Sequence, residues 1–158
     1  MRILGVDPGY GLTGWAVIDT KGSLTMLEYG LIETSGKDPL SKRLYRIFDQ
    51  LMALSSRLMP ERMVLERFHP GKSMTTAEGV FQARGVVLAA AGFTGCEVLE
   101  PTAAQVKLAV TGSGKASKED VRIMVERLLD IKEPIRPDDV VDAIACAIAG
   151  SALPGVIA

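Results

Sequence analysis

Four carboxylates, Asp7, Glu66, Asp139 and Asp142, occupy positions from which they could converge on one point. Asp7 closes the short apolar run Arg2-Ile-Leu-Gly-Val6 and is followed by Pro8-Gly9, a strong turn signal. Glu66 closes a second run, Arg62 to Leu65. If those runs are neighbouring strands, both acids emerge at the same edge of a sheet, where open α/β sheets place their sites. Asp139 and Asp142 stand at i and i+3 in the helical stretch Asp138-Asp-Val-Val-Asp-Ala-Ile-Ala-Cys-Ala147, so they point the same way. Their face continues through Ala143, Cys146 and Ala149, which are small and apolar and therefore turned inward. An acid on that face is costly unless a cation compensates it. Asp138 or Asp139 could be the N-cap of this helix, a role that Asp138 fits better, but Asp142, in the second turn, cannot cap it. Four oxygen donors without His or Cys suit a hard cation, Mg²⁺ or Mn²⁺, rather than zinc. Such a set holds one or two ions per chain, and two ions activate water and stabilise the leaving oxygen in an in-line phosphoryl displacement. Phosphodiester hydrolysis is the chemistry these residues suit. Without metal the crowded acids repel, so at least one pKa should rise and activity should fall as pH drops through the coupled titration.

The elements that must position these acids are legible in the hydrophobic pattern. Arg2 to Val6, Thr13 to Asp19 and Leu24 to Glu33 read as three consecutive strands, hence an antiparallel arrangement. Leu40 to Met59 carries apolar residues at helical spacing and is stopped by Pro60. After the strand at 62–65 comes an irregular stretch through Phe68-His69-Pro70-Gly71-Lys72, then a helix from about Ser73 to Ala91. The later half of that helix is apolar on nearly all sides, which demands burial in the core or against a partner chain. A short strand from Cys96 to Leu99, a helix from Pro101-Thr102 through Val110, an amphipathic helix from Glu119 to Leu129 and the acidic helix from Asp138 to about Ala149 complete the chain. The order βββαβαβααα predicts an α/β domain, a mixed five-stranded sheet with helices on both faces. Residues 1–158 read as a single domain, the size at which folding buries roughly 70% of the extended surface.

Two phosphate-loop patterns fail their context tests. Gly9-Tyr-Gly11-Leu-Thr-Gly14 matches the dinucleotide fingerprint in letters, yet a strand rather than a helix follows it, so no helix dipole meets a pyrophosphate. Gly112-Ser-Gly-Lys115 lacks the rest of a triphosphate loop, with Ala109 and Ala116 at the positions that need Gly and a hydroxyl. The composition, 47% apolar and 23% charged, is that of an ordered globular chain. No apolar stretch approaches the ~20 residues of a membrane span. Met1-Arg2 runs straight into the first strand, so no signal peptide is expected, and two cysteines without ligand spacing suit a reducing cytoplasm.

Charge is nearly balanced, 18 Lys+Arg against 19 Asp+Glu, but unevenly spread. Pro101 to Lys118 holds Lys107, Lys115 and Lys118 and no acid, and Arg67 to Arg84 holds Arg67, Lys72 and Arg84 against Glu78. Basic groups gathered beside a carboxylate site favour phosphate contact, although Lys115 alone is equally compatible with a solvated loop. With the four carboxylates assigned to metal, the remaining balance turns basic.

The set Ile3-Leu-Gly-Val-Asp-Pro-Gly9 with Thr13-Gly14, Leu65-Glu66, Gln82-Ala-Arg-Gly85, Gln105-Val-Lys107 and Asp139-Val-Val-Asp142-Ala-Ile-Ala145 resembles the ribonuclease H-like superfamily. Within it the chain is similar to the Holliday-junction resolvases of the RuvC family, over nearly its whole length. The resemblance implies a homodimeric endonuclease that nicks two strands of a four-way DNA junction in recombination and repair, partnered by a branch-migration helicase complex. It implies metal-binding catalytic roles for Asp7, Glu66, Asp139 and Asp142. It also implies DNA contact near the scissile strand for Lys107 and Lys118, and entry of the loop Arg67 to Ser73 into the junction core. The family's aromatic wedge corresponds to His69 here, with Phe68 adjacent, so either could take that role; His69 also fits an outer metal ligand or an exposed loop residue. Phe81 to Gly92 fits the family's dimer contact as well as a plain core helix. Other ribonuclease H-like nucleases, an actin-like ATP-binding module and a non-catalytic junction binder are the alternatives. Length disfavours the actin-like reading, and the intact carboxylates disfavour the last.

Overall fold

The computed structural model describes residues 1–68 and 74–154. Five strands form one mixed sheet in the order β3-β2-β1-β4-β5, with β1 Arg2–Asp7, β2 Leu12–Asp19, β3 Thr25–Glu33, β4 Arg62–Leu65 and β5 Glu97–Leu99. The first three are antiparallel neighbours, and β4 and β5 add in parallel beside β1. The helices are α1 Leu40–Leu58, α2 Met74–Thr94, α3 Ala103–Thr111, α4 Lys118–Leu128 and α5 Asp138–Ala152. The element order is the one the hydrophobic pattern predicts, and helices cover both faces of the sheet.

Strand alternation decides which side chains go to which face. Leu4, Val6, Trp15, Val17, Met63 and Leu65 face α1 and α2, where they meet Ile47, Leu51, Ala83, Val87 and Ala90. Ile3, Ala16, Ile18 and Val64 face the opposite layer of α3, α4 and α5. Asp7 and Glu66 belong by the same period of two to this second face. Val6 pairs with Leu65 in the parallel ladder, so the two acids follow in step from adjacent strands.

α5 lies across β1, β2 and β4, and two glycines let it come close. A Cβ on Gly5 would sit 1.9 Å from the Ala143 carbonyl oxygen, and one on Gly14 would sit 2.0 Å from that of Asp139. At the other end of α5, the buried Arg62 of β4 donates from Nη1 to the Gly150 carbonyl and from Nε to Glu97, closing the helix C-terminus with a cation. α3 and α4 start with reciprocal capping boxes, Thr102 with Gln105 and Ser117 with Asp120. α5 has none: its N-cap is Pro137, and Asp138 is its first helical residue with no capping hydrogen bond. The expected N-cap role of Asp138 is therefore corrected. Pro137 takes that position, and Asp138 serves only through its charge in the first turn.

Candidate active site

The two strand ends and α5 meet around a cavity of about 330 Å³. Asp7, Glu66 and Asp142 line it, together with Arg84 of α2, Lys107 of α3, Lys118 of α4 and Phe68. Pro8, Val80, Ala103, Val106, Val121, Ala145 and Cys146 supply apolar wall. Asp139 is not in the lining, but its charge bears on both Asp7 and Asp142. The structure thus brings the four acids within mutual influence and places three of them on one surface.

Electrostatics at this edge are strained toward negative charge. Burial, then the charges of Asp142, Asp139 and Glu66, push the Asp7 carboxyl up from 3.8 to about 7, with Lys118 opposing. Burial also raises Asp142, again opposed by Lys118, whose Nζ lies 3.3 Å from Asp142 Oδ2. Asp142 in turn raises Lys118. Burial and the neighbouring acids hold the Cys146 thiol protonated, so it acts as a small apolar wall group. The sequence leads one to expect a raised carboxyl pKa from crowding; at Asp7 the rise is there, with burial the larger cause and the neighbouring acids the smaller.

The turn after Asp7 is fixed locally. Thr13 Oγ1 donates to the Gly9 carbonyl at 2.7 Å, and Arg43 donates from Nη2 to the Tyr10 carbonyl while its guanidinium lies 4.5 Å from the Tyr10 ring centroid. The glycine cluster that matches a dinucleotide fingerprint therefore forms a strand-to-strand turn leading into β2, as its context indicates.

A divalent cation fits the donor set: oxygen-only ligands, a carboxyl driven toward neutrality by burial and then by its neighbours, and one lysine as the nearest compensation. Among the described residues no group of three His, Cys, Asp or Glu side chains is placed so that it could hold a metal ion as it stands; the acids share the cavity without forming a ligand shell.

The basic residues divide. Lys107 and Lys118 reach the cavity as expected. Lys115 instead borders a separate hollow with Thr111, Ser113 and Asp120. Arg67 is exposed beside Glu66, and Phe68 stands edge-on to Phe81 at 4.8 Å. His69 and Lys72 lie outside the described residues. Arg84, also expected as a DNA contact, lines the same cavity; it is 7% exposed and donates to the Glu66 carbonyl and the Glu100 carboxylate. Its charge is visible in the sequence, but its burial is set by a helix-to-strand contact that charge patterning does not report. Glu100, its carboxylate partner, carries no signal in the sequence at all.

The sheet order and the acidic edge crossed by α5 define a ribonuclease H-like nuclease. Residues 3–150 match the family model described as crossover junction endodeoxyribonuclease RuvC. The chain belongs to the RuvC family of crossover junction endodeoxyribonucleases. It is 44% identical over 149 residues to the relative from Brevibacillus brevis, covering 94% of this chain and 90% of that one. To the relative from Moorella thermoacetica it is 45% identical over 150 residues, covering 94% and 89%. Among solved structures, Thermus thermophilus RuvC in complex with a Holliday junction substrate superposes with a TM-score of 0.91 at 33% identity, covering 96% of this chain and 93% of that one.

Proposed function

We infer that this chain, a junction-resolving endonuclease by family, uses Asp7, Glu66, Asp139 and Asp142 to hold divalent metal and cut the junction strands. The observation that carries the assignment is one cavity that gathers the half-buried Asp7 with Glu66 and Asp142, with Asp139 close enough to act on Asp7 and Lys118 in opposition. Divalent-metal dependence comes with the family; Mg²⁺ or Mn²⁺, one or two ions per subunit, is the reading the oxygen donors favour. When bound, the metal supplies activated water and charge neutralisation at the phosphate. The residues of the chain do the remaining work. Asp7 and Glu66 present their carboxylates from adjacent strand ends, and Asp142 and Asp139 close the site from α5. Lys107 and Lys118 meet the phosphates, and Lys118 exchanges Asp142 for the incoming strand or remains beside both. The apolar wall of Val106, Val121, Ala145 and Cys146 limits water around the acids.

Arg67, Phe68, His69 and Lys72 form the segment proposed to enter the junction core, with Phe68 or His69 as the wedge. Lys115 is left as an outer phosphate contact, and Arg84 as a cavity-wall residue of the proposed DNA-binding set, held there by Glu66 and Glu100. The single domain of residues 1–158 is proposed to act in the cytoplasm as a homodimer with a branch-migration helicase complex. A two-fold enzyme suits a pseudo-two-fold junction. No helix among the described residues is long and apolar enough to cross a membrane.

Incubation of the metal-loaded protein with a synthetic four-way junction, linear duplex and RNA tests this reading, with Mg²⁺ and Mn²⁺ in separate reactions. Paired nicks confined to the junction are expected. Asp7→Asn should abolish them and leave junction binding largely intact; an Asp7→Asn protein that nicks at the parent rate overturns the assignment.

A further inference from the structure

Glu66 stands just past the end of β4, and its peptide is gripped by side chains from two helices. Its carbonyl accepts from Nη1 of Arg84 on α2, and its N–H meets the Cys146 thiol on α5. The next N–H, that of Arg67, donates to the Pro101 carbonyl at 2.7 Å. Arg84 is 7% exposed, and its other terminal nitrogen is paired with Glu100, two residues before α3 begins to be capped. A buried guanidinium needs a carboxylate to offset its desolvation, and its planar fork fixes two acceptors relative to each other.

We propose that Arg84, braced by Glu100, is a positioning residue that clamps the Glu66 peptide and so aims the Glu66 carboxylate at the divalent cation. The proposal rests on the reading of Glu66 as a metal ligand. The clamp ties that ligand to α2 and to the start of α3, the two helices that flank the cavity on the β4 side. Groups that orient metal ligands without touching the metal set affinity and rate together, whereas a DNA contact sets junction affinity.

The test compares Arg84→Gln, Arg84→Lys and Glu100→Gln with the parent and with Asp7→Asn. Four quantities are read: Mn²⁺ affinity by titration calorimetry, single-turnover nicking, junction affinity without metal, and melting temperature. Arg84→Gln should lose about 10- to 100-fold in Mn²⁺ affinity and nicking rate, with metal-free junction affinity within about 2-fold of the parent. Arg84→Lys keeps the charge without the fork and should remain impaired. Parent-level Mn²⁺ affinity in Arg84→Gln, full rescue by Arg84→Lys, or a loss of metal-free junction affinity that matches the rate loss overturns the clamp. Should the Arg84 variants melt below the assay temperature, Glu100→Gln decides: a smaller loss of Mn²⁺ affinity in the same direction supports the clamp, and parent affinity overturns it. An Asp7→Asn protein that still nicks fails the metal-site reading itself, whereas an inactive Asp7→Asn beside an unimpaired Arg84→Gln fails the clamp alone.

Discussion

At the scale of single residues, the molecule keeps a carboxylate where folding alone would not want one. The Asp7 carboxyl is raised from 3.8 to about 7, so in the metal-free protein the folded state holds its proton to higher pH than the unfolded chain does. Between those two values the folded state binds more protons, and stability must fall as pH rises through the window. Asp7→Asn removes this dependence. Thermal melts in chelator should show the variant more stable than the parent at pH 8, by as much as a few kcal/mol at about 1.4 kcal/mol per pKa unit, with the two converging toward pH 4. Parallel curves across that range would contradict the burial of the charge. Saturating Mn²⁺ should reverse the order, because only the parent gains the full ligand set. The same proton competes with metal for Asp7, so nicking should decline on the acid side with a midpoint that moves to lower pH as metal concentration rises. A midpoint independent of metal would assign the acid limb to another group. The four acids were legible because each sits where a strand ends or on an inward helix face. The fate of Arg84 was not, since burial of a charge depends on a carboxylate 16 positions away that folding brings beside it.

At the scale of elements, the site depends on how closely α5 approaches the sheet. Gly5 and Gly14 have no side chain because helix backbone occupies that space, and Gly14 is also the cross-strand partner of Asp7. Gly14→Ala would drive a methyl into the Asp139 carbonyl and lift the N-terminal end of α5, which carries both Asp139 and Asp142. A stability loss of about 1–3 kcal/mol is expected from overpacking against backbone that cannot yield. Nicking should fall further than the loss of folded protein explains, because two acids move with the helix. Denaturant unfolding together with the rate per folded molecule checks both parts, and a stable, fully active Gly14→Ala would show that α5 has slack. The strands and helices themselves followed from alternation, helical spacing and proline stops, because those patterns record burial directly. The closeness of α5 did not follow. A glycine in a strand announces a close approach but not which element makes it. The absence of a side-chain cap at Pro137 was equally hidden, since Asp138 has the right chemistry one position too late.

At the scale of the whole molecule, α2 carries the surface on which the proposed dimer rests. Ala83, Val87, Ala90 and Ala91 bury one side of it against the sheet, while Leu88 and Phe93 stay exposed on the other, Phe93 to 76%. Phe93 meets Phe48 of α1 edge-on, and Tyr45 on the same helix is also exposed, so the apolar surface extends across two helices. Apolar surface of this kind suits an interface, and the proposed dimer would place a second copy on it, in keeping with a pseudo-two-fold junction. Leu88→Glu places a charge on that surface without disturbing the buried side of α2, and should shift the protein from dimer to monomer in sedimentation while leaving its melting transition cooperative. The functional consequence is specific to two-site cutting. On a plasmid that extrudes a cruciform, the parent should yield linear product, since both nicks fall within one bound complex. The monomeric variant should yield mainly nicked circles, because each cut then needs an independent encounter. A Leu88→Glu protein that stays dimeric would move the interface elsewhere on the surface. One that is monomeric yet still linearises the plasmid would separate paired nicking from dimerisation, and the coupling of the two cuts would then have to come from the junction itself.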